Sequence, residues 1–278
     1  MTAQLISLEP MKTEHLDGAV LLSREAGWPH RREDWELVLS VSEGLVALQD
    51  GRVVATTLMT PFGSDAAAIN MVIVEAALRG RGVGRKLMDA ALEKAGARSC
   101  RLVATKEGLP LYEKLGFTAI GEIAQHQGQA VRVEAPAGVN WAQDDEHEKI
   151  SALDRAACDL DRSALMRILR RTVKFAVIRE RGEVVAFAGV RAFGRGLVVG
   201  PVVARSSGQA KDLIRFMFAH HQGAFVRVDT DLSTGLGPWL AEHGLAHVGG
   251  GVSMRRGPDI EQAETSYCTF ALVNQALG

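Results

Sequence analysis

The chain has 278 residues, 47% apolar and 23% charged, and at roughly 150 residues per domain this points to two globular domains with sizeable cores. Its formal net charge of −1 removes the basic footprint of a general nucleic-acid binder, so small molecules are the expected partners. The three widely spaced cysteines, Cys100, Cys158 and Cys268, give neither a disulfide framework nor a metal-ligand pair, and no metal is expected.

Met1–Pro10 lacks the basic start and apolar stretch of a secretory signal. The longest apolar run, Leu197–Ala204, is far short of the roughly 20 residues that span a bilayer. A cytoplasmic protein without membrane contact is the expectation. Leu5–Glu9 reads as a first strand, and Thr13 is placed to cap a helix running towards Ala26. Arg31–Ser40 predicts a second helix carrying Trp35, Val38 and Leu39. Strands Gly44–Gln49 and Arg52–Thr60 follow, joined by Asp50-Gly51, a two-residue hairpin signal. Ala67–Val74 is almost wholly apolar, as a strand buried on both faces would be.

A glycine-rich turn then leads into a helix over Gly82–Ala97. Val83, Leu87, Met88, Ala91, Leu92 and Ala95 form one stripe, with charged residues opposite, and Gly96 marks the end. Strand Ser99–Ala104, helix Leu109–Leu115 and strand Phe117–Ile123 complete the first half. Residues 134–146, with Pro136, Gly138 and Asp144-Asp145-Glu146, read as a linker.

The second half repeats this plan. Helices are predicted over Glu146–Ala157 and Asp161–Thr172, and a hairpin over Phe175–Glu180 and Glu183–Arg191 around Arg181-Gly182. Strand Leu197–Ala204, helix Gln209–His221, strand Ala224–Val228, helix Gly237–His243 and strand Ala246–Arg256 follow. Leu111–Phe117 aligns with Trp239–Leu245, and the same offset carries Val74 to Val202.

The chemistry concentrates in Asn70–Arg85, where a buried strand ends, glycines turn, and an amphipathic helix begins. The first N–H groups of a helix lack internal partners and carry partial positive charge, so such a turn is an anion site. Gly80, Gly82 and Gly84 give G-x-G-x-G, which is neither the G-x-G-x-x-G of a dinucleotide fold nor a Walker loop. Arg79-x-x-Gly82-x-Gly84 after Val72-Ile73-Val74, followed by Leu111-Tyr112-Glu113-Lys114-Leu115-Gly116-Phe117, resembles the GNAT superfamily of acyl-CoA-dependent N-acyltransferases. Ala26–Pro29, Asp34-Trp35, Ala104–Tyr112 and Val199–Ala204 are further similar to bacterial tandem GNAT proteins, in which a divergent second copy follows the first.

The resemblance implies an α/β (α+β) fold of two tandem GNAT-like domains, each a mixed, mostly antiparallel twisted sheet flanked by helices. It divides the chain into 1–133, a linker 134–146, and a degenerate copy over 147–278. It implies acetyl-CoA as cofactor, its pyrophosphate held by amides of Arg79, Gly80, Arg81, Gly82, Val83, Gly84 and Arg85. The pantetheine arm would pair with Val72, Ile73 and Val74, and the amide near Val72 would polarise the thioester carbonyl. Tyr112 would protonate the leaving thiolate. Candidates for the base are Glu25, Asp34 and Glu75, with Glu25 preferred. Trp28, Trp35 and Asn70 are candidates for the acceptor pocket.

The second copy reads Arg205-Ser206-Ser207-Gly208 at the turn and Leu240 in place of Tyr112, so coenzyme A is expected on the first copy alone. His220-His221 and His243/His247 are read as structural or surface residues, and no G-x-S-x-G elbow occurs. The implied activity is acetyl transfer from acetyl-CoA to a primary amine of a small molecule, by direct attack in a ternary complex, in a monomer or homodimer. The alternatives are a non-catalytic acyl-CoA-binding regulator and an acetyltransferase for a peptide or protein amine.

Overall fold

The computed structural model describes residues 6–158, 160–259 and 265–278. Leu5, read as the start of the first strand, and the first residues of the chain lie outside them. The first half comprises β1 (Ile6–Pro10), α1 (Leu16–Glu25), α2 (Arg32–Leu39), β2 (Glu43–Gln49), β3 (Arg52–Phe62), β4 (Ala66–Val74), α3 (Val83–Ala95), β5 (Ser99–Ala104), α4 (Leu109–Lys114) and β6 (Thr118–Gln129). The second comprises β7 (Val139–Trp141), α5 (His147–Cys158), α6 (Ser163–Thr172), β8 (Lys174–Glu180), β9 (Glu183–Phe193), β10 (Gly196–Ala204), α7 (Ser207–His220), β11 (Phe225–Asp231), α8 (Gly237–Glu242), β12 (Ala246–Arg256) and β13 (Cys268–Ala271).

Local chemistry explains most boundaries. Asp50 and Gly51 both have positive φ (52° and 77°), as do Arg181 and Gly182 (52° and 84°), which is the backbone a two-residue hairpin turn requires. Helix α3 buries Val83, Leu87, Met88, Ala91, Leu92 and Ala95, the stripe the sequence predicts, and each larger side chain contributes about 1.5–3 kcal/mol by leaving water. Thr13 does not cap α1. It opens a 3-10 turn over Thr13–His15, in which the Lys12 amide donates to His15 Nδ1 at 3.0 Å.

The strands form one mostly antiparallel sheet in the order β1-β2-β3-β4-β5-β12-β6-β11-β10-β9-β8-β7, with β13 against β10. Among the described residues only β4–β5 and β10–β11 run parallel. The order reveals an exchange between the halves. Strand β12, from the second half, pairs with β5 (Val252 opposite Ala104) and with β6. Strand β6, from the first half, pairs through Ile123–Gln129 with the whole of β11 (Phe225 opposite Gln129, Asp231 opposite Ile123).

Strand β6 therefore runs six residues beyond the Ile123 boundary read from the sequence. Its distal part is Gln125, His126 and Gln127, polar residues that resemble a loop, yet His126 and Gln127 are buried between partners supplied by the other half. The stretch 134–146 also contains structure: β7 pairs with β8, and Glu146 accepts two hydrogen bonds from the Arg179 guanidinium.

One core lies against α1, α2, α5 and α6 and joins residues of both halves, including Leu16, Trp35, Leu58, Ile150, Leu165 and Phe187. The second half has its own core under α7 and α8. In the first half, two smaller clusters lie under α3 and α4. The long sheet thus has helices on both faces.

Candidate active site

Strands β4 and β5 pair only through Ala66–Ala68 against Ser99–Arg101, and beyond Ala68 they diverge. On its other edge β4 carries a bulge. Ile73 faces Thr56 and Asn70 faces Leu58, so Met71 and Val72 together oppose Thr57. Met71 takes a left-handed backbone (φ 50°), and its carbonyl accepts from Thr56 Oγ1 at 2.8 Å. A bulge leaves one residue out of the ladder and re-aims the backbone, which here happens beside the open wedge.

The glycine turn closes the far end of that wedge. Gly80 and Gly82 have φ of 75° and 81°, a conformation L side chains resist, and a Cβ on either would meet nothing within 4 Å. The turn is therefore open in front, as a cradle for a bulky anion must be. Helix α3 starts at Val83 and points its unpaired amides at the same place. Arg79 is tied back through Nε to the Val74 carbonyl at 3.1 Å, and Arg85 pairs with Asp89.

A cavity of about 930 Å³ extends from this cradle along the wedge. Its wall includes Val72, Ile73, Val74, Arg79, Gly80, Gly82, Gly84 and Arg85, together with Asn70, Tyr112, Glu25 and Trp28. Val83 and Arg81 do not line it. The Val83 side chain is buried in the core, and Arg81 is exposed. Tyr112 is buried, packs edge-on to Phe117, and has its hydroxyl pushed up to about 12 by burial. No hydrogen bond to that hydroxyl occurs among the described residues. Gly108 makes room for the ring, since a Cβ there would come within 2.8 Å of Tyr112 Cε2.

Several expectations need correcting. Trp35 is fully buried, donates from Nε1 to Ser23 Oγ at 3.0 Å, and does not line the cavity. Glu75 is held by both terminal nitrogens of Arg52 (3.1 and 2.9 Å) and does not line it either. Asp34 is buried and belongs to a structural network. It accepts from Arg31 Nη2 (2.9 Å), from the Gly194 amide (2.9 Å) and from Arg191 Nη1 (3.4 Å). Burial pushes its carboxyl up, but the Arg31 and Gly194 hydrogen bonds outweigh this and hold it below the usual range. Of the three base candidates, Glu25 alone lines the cavity. His220 and His243 each hydrogen-bond the carbonyl four residues back, consistent with structural roles.

The remaining wall was not foreseen, because it comes from distant segments. His30, Phe193, Arg227, Gln125, Asn274 and Gln275 also line the cavity. His30 stacks edge-on with Trp28 (5.7 Å) and Phe193 (5.6 Å), and burial, reinforced by Arg227 and Arg191 against Asp34, brings its imidazole down to about 4. His30 directly follows Gly27-Trp28-Pro29, a segment already singled out. Nothing local marks Arg227.

The corresponding wedge in the second half is filled. Strands β10 and β11 pair only at Leu197 and Val198, and beyond that point β13 runs antiparallel to β10 at Val202–Ala204. The Leu272 amide then bonds the Asp229 carbonyl at 2.8 Å. Gly200 permits this approach, since a Cβ there would lie 1.8 Å from the Leu272 oxygen.

The sequence matches the family description "Acetyltransferase (GNAT) domain" twice, over residues 40–119 and 150–267. It is 30% identical over 225 residues to the uncharacterized N-acetyltransferase YitH of Bacillus subtilis (strain 168), covering 78% of this chain and 79% of YitH. A candidate acetyltransferase from Pyrococcus horikoshii superposes with a TM-score of 0.83 at 19% identity, covering 100% of this chain and 98% of that one. A tandem GNAT protein from the clavulanic acid biosynthesis pathway gives 0.63 at 18% identity, with 92% and 100% covered. At those identities the two structures speak to the fold. The matched repeats and the YitH identity settle the family: this chain is a tandem member of the GNAT acetyltransferases, and hence an acyltransferase.

Proposed function

We propose that the chain transfers an acetyl group from acetyl-CoA to a primary amine of a small molecule, by direct attack with both substrates bound. The observation that carries this reading is one cavity joining an open anion cradle, the β4 bulge and Tyr112 to an aromatic and polar wall drawn from both halves. The GNAT fold binds acetyl-CoA, and the first half has what that ligand needs: amides at the α3 N-terminus, glycines with open space before them, and an unzipped strand edge.

Amides of the turn Arg79–Gly84, with Arg85, would hold the diphosphate. Val72, Ile73 and Val74 would offer main-chain partners to the pantetheine arm. Bound acetyl-CoA supplies the thioester. The bulged backbone at Val72 would direct an N–H to its carbonyl oxygen, where charge develops. Glu25, directly or through water, would take the proton of an attacking ammonium.

Burial sharpens the role of Tyr112. A phenol at about 12 is a weak acid against a thiol near 8.5, so proton transfer to the sulfur is uphill by several kcal/mol. Tyr112 therefore serves as a hydrogen-bond donor to the leaving sulfur and stays protonated across the neutral range. As the C–N bond forms and the C–S bond breaks, the second proton of the attacking nitrogen would pass, directly or through water, to the thiolate. The filled wedge in the second half supports one cofactor per chain, with the division near 134–146 separating a working copy from a supporting one.

Calorimetry with coenzyme A, and initial rates across an amine panel followed by thiol release, test this reading. One equivalent of bound coenzyme A and intersecting double-reciprocal lines are expected. Two equivalents, or parallel lines from an acetylated enzyme, would overturn the corresponding part.

A further inference from the structure

The acceptor wall contains a pre-set cation. Arg227 lies on β11, and its side chain is only 11% exposed. Its Nε donates to Asp229 Oδ2 at 2.8 Å, and the guanidinium carbon sits 5.1 Å from the Phe193 ring centre. Asp229 is fully buried and fixed on its other oxygen by Gln275 Nε2 at 3.0 Å. Gln275 in turn reaches Gln125 Oε1 at 3.2 Å. The guanidinium is thus locked in plane and position from behind. Its two terminal nitrogens make no hydrogen bond to protein among the described residues, and the side chain lines the cavity.

The ion pairs at this wall leave one guanidinium facing the cavity. Arg31 and Arg191 both pair with Asp34, and Arg227 pairs with Asp229 through Nε alone. Arg31 and Arg191 are committed to Asp34 behind the wall, and of the three only Arg227 reaches the cavity. A guanidinium with two parallel donors free matches a carboxylate edge-on, and burial makes such a pair discriminating.

Resting on the acetyl-transfer reading above, we infer that the acceptor is an amine that also carries a carboxylate, an amino acid or a close analogue, with the carboxylate paired to Arg227. Arg227 is then a specificity-determining residue supplied by the half that holds no cofactor. The amine end of the acceptor points away from it, towards the β4 bulge and Tyr112.

The test uses the full chain, acetyl-CoA, and amine pairs that differ only in the carboxylate: lysine and cadaverine, phenylalanine and phenethylamine, tyrosine and tyramine. For at least one pair the acid is expected to be preferred by about 100-fold in kcat/KM, since a site built for a charged partner rejects the analogue lacking it. In Arg227→Gln that ratio should fall towards one, chiefly through KM for the acid, and Arg227→Lys should recover part of it. Wild-type turnover without preference for any acid overturns this inference alone, whether or not the variants fold. A variant whose coenzyme A affinity falls 10-fold or more also overturns it, by assigning Arg227 to the cofactor. A chain that binds coenzyme A but acetylates no amine overturns the acceptor reading beneath it and this inference together.

Discussion

Arg191 and Asp34, 157 positions apart in the chain, meet with Nη1 and Oδ1 3.4 Å apart, and both side chains are at least 96% buried. One belongs to β9 and the other to α2, so this contact ties the second half to the wall of the site in the first. Removing the carboxylate strands a buried cation. Burial already brings Arg191 down to about 10 despite Asp34. Asp34→Ala is therefore expected to destabilise the chain by about 3–5 kcal/mol, and Asp34→Ala with Arg191→Leu by clearly less. Urea midpoints for the two variants check this, and a cost below 1 kcal/mol for the single change would refute the role.

Gly82 is where the backbone, rather than a side chain, meets the cofactor in the proposed complex. At φ 81° an alanine is strained by roughly 1–2 kcal/mol, while its Cβ stands in the open front of the cradle. Gly82→Ala should weaken coenzyme A binding by about tenfold. Gly82→Glu sets a carboxylate against the diphosphate and should abolish the calorimetric signal. Unchanged affinity in both would remove the turn from the binding site.

For Tyr112→Phe, loss of the hydroxyl should lower kcat by about 10²-fold and leave coenzyme A affinity within a factor of two. The wild-type rate profile should show no alkaline limb from this residue near pH 10, because burial holds its hydroxyl at about 12. The matching stability term is present below pH 10 and fades as pH rises through 12, where the folded state gives up the proton. A variant with full activity would leave Tyr112 as a packing residue.

His30 couples the site to acid. Its imidazole titrates at about 4 when folded and near 6.5 when unfolded, so the unfolded chain binds the extra proton. The stability this represents, up to about 3 kcal/mol, is present above pH 6.5 and is lost as pH falls to 4. His30→Gln should flatten the fall in thermal midpoint between those values. An equally steep fall in the variant would assign the acid sensitivity to other groups.

What was legible in the sequence was local. Asp50-Gly51 and Arg181-Gly182 fix hairpins through two residues each, and Arg79–Gly84 announces itself by glycines between a strand and a helix. Tyr112 is marked by its place in Leu111-Tyr112-Glu113-Lys114-Leu115-Gly116-Phe117, the segment that resembles the GNAT pattern. The rest of the cavity wall is not legible, because Phe193, Arg227 and Gln275 come from distant segments without a local signature, and His30 is marked only by its neighbours Gly27-Trp28-Pro29. Trp28 and Trp35 look alike in sequence, yet one faces the cavity and the other is sealed behind Ser23. The sequence pattern of strand β6 ends at Ile123 because Gln125–Gln127 are polar, and their burial depends on pairing that spacing alone does not disclose.

The trade of β6 for β12 bears on how such a molecule diversifies. Two identical subunits that swap a strand must change together, since every mutation lands in both. Here the equivalent partners lie on one polypeptide, so the scaffold survives while one copy is altered and the other is not. Strand β13 could seal one slot, and Arg227 could be aimed into the neighbouring cavity, without touching the glycine turn Arg79–Gly84. Neither portion can be cut away without leaving the other's sheet with a gap, because β12 sits between β5 and β6 and β6 sits between β12 and β11.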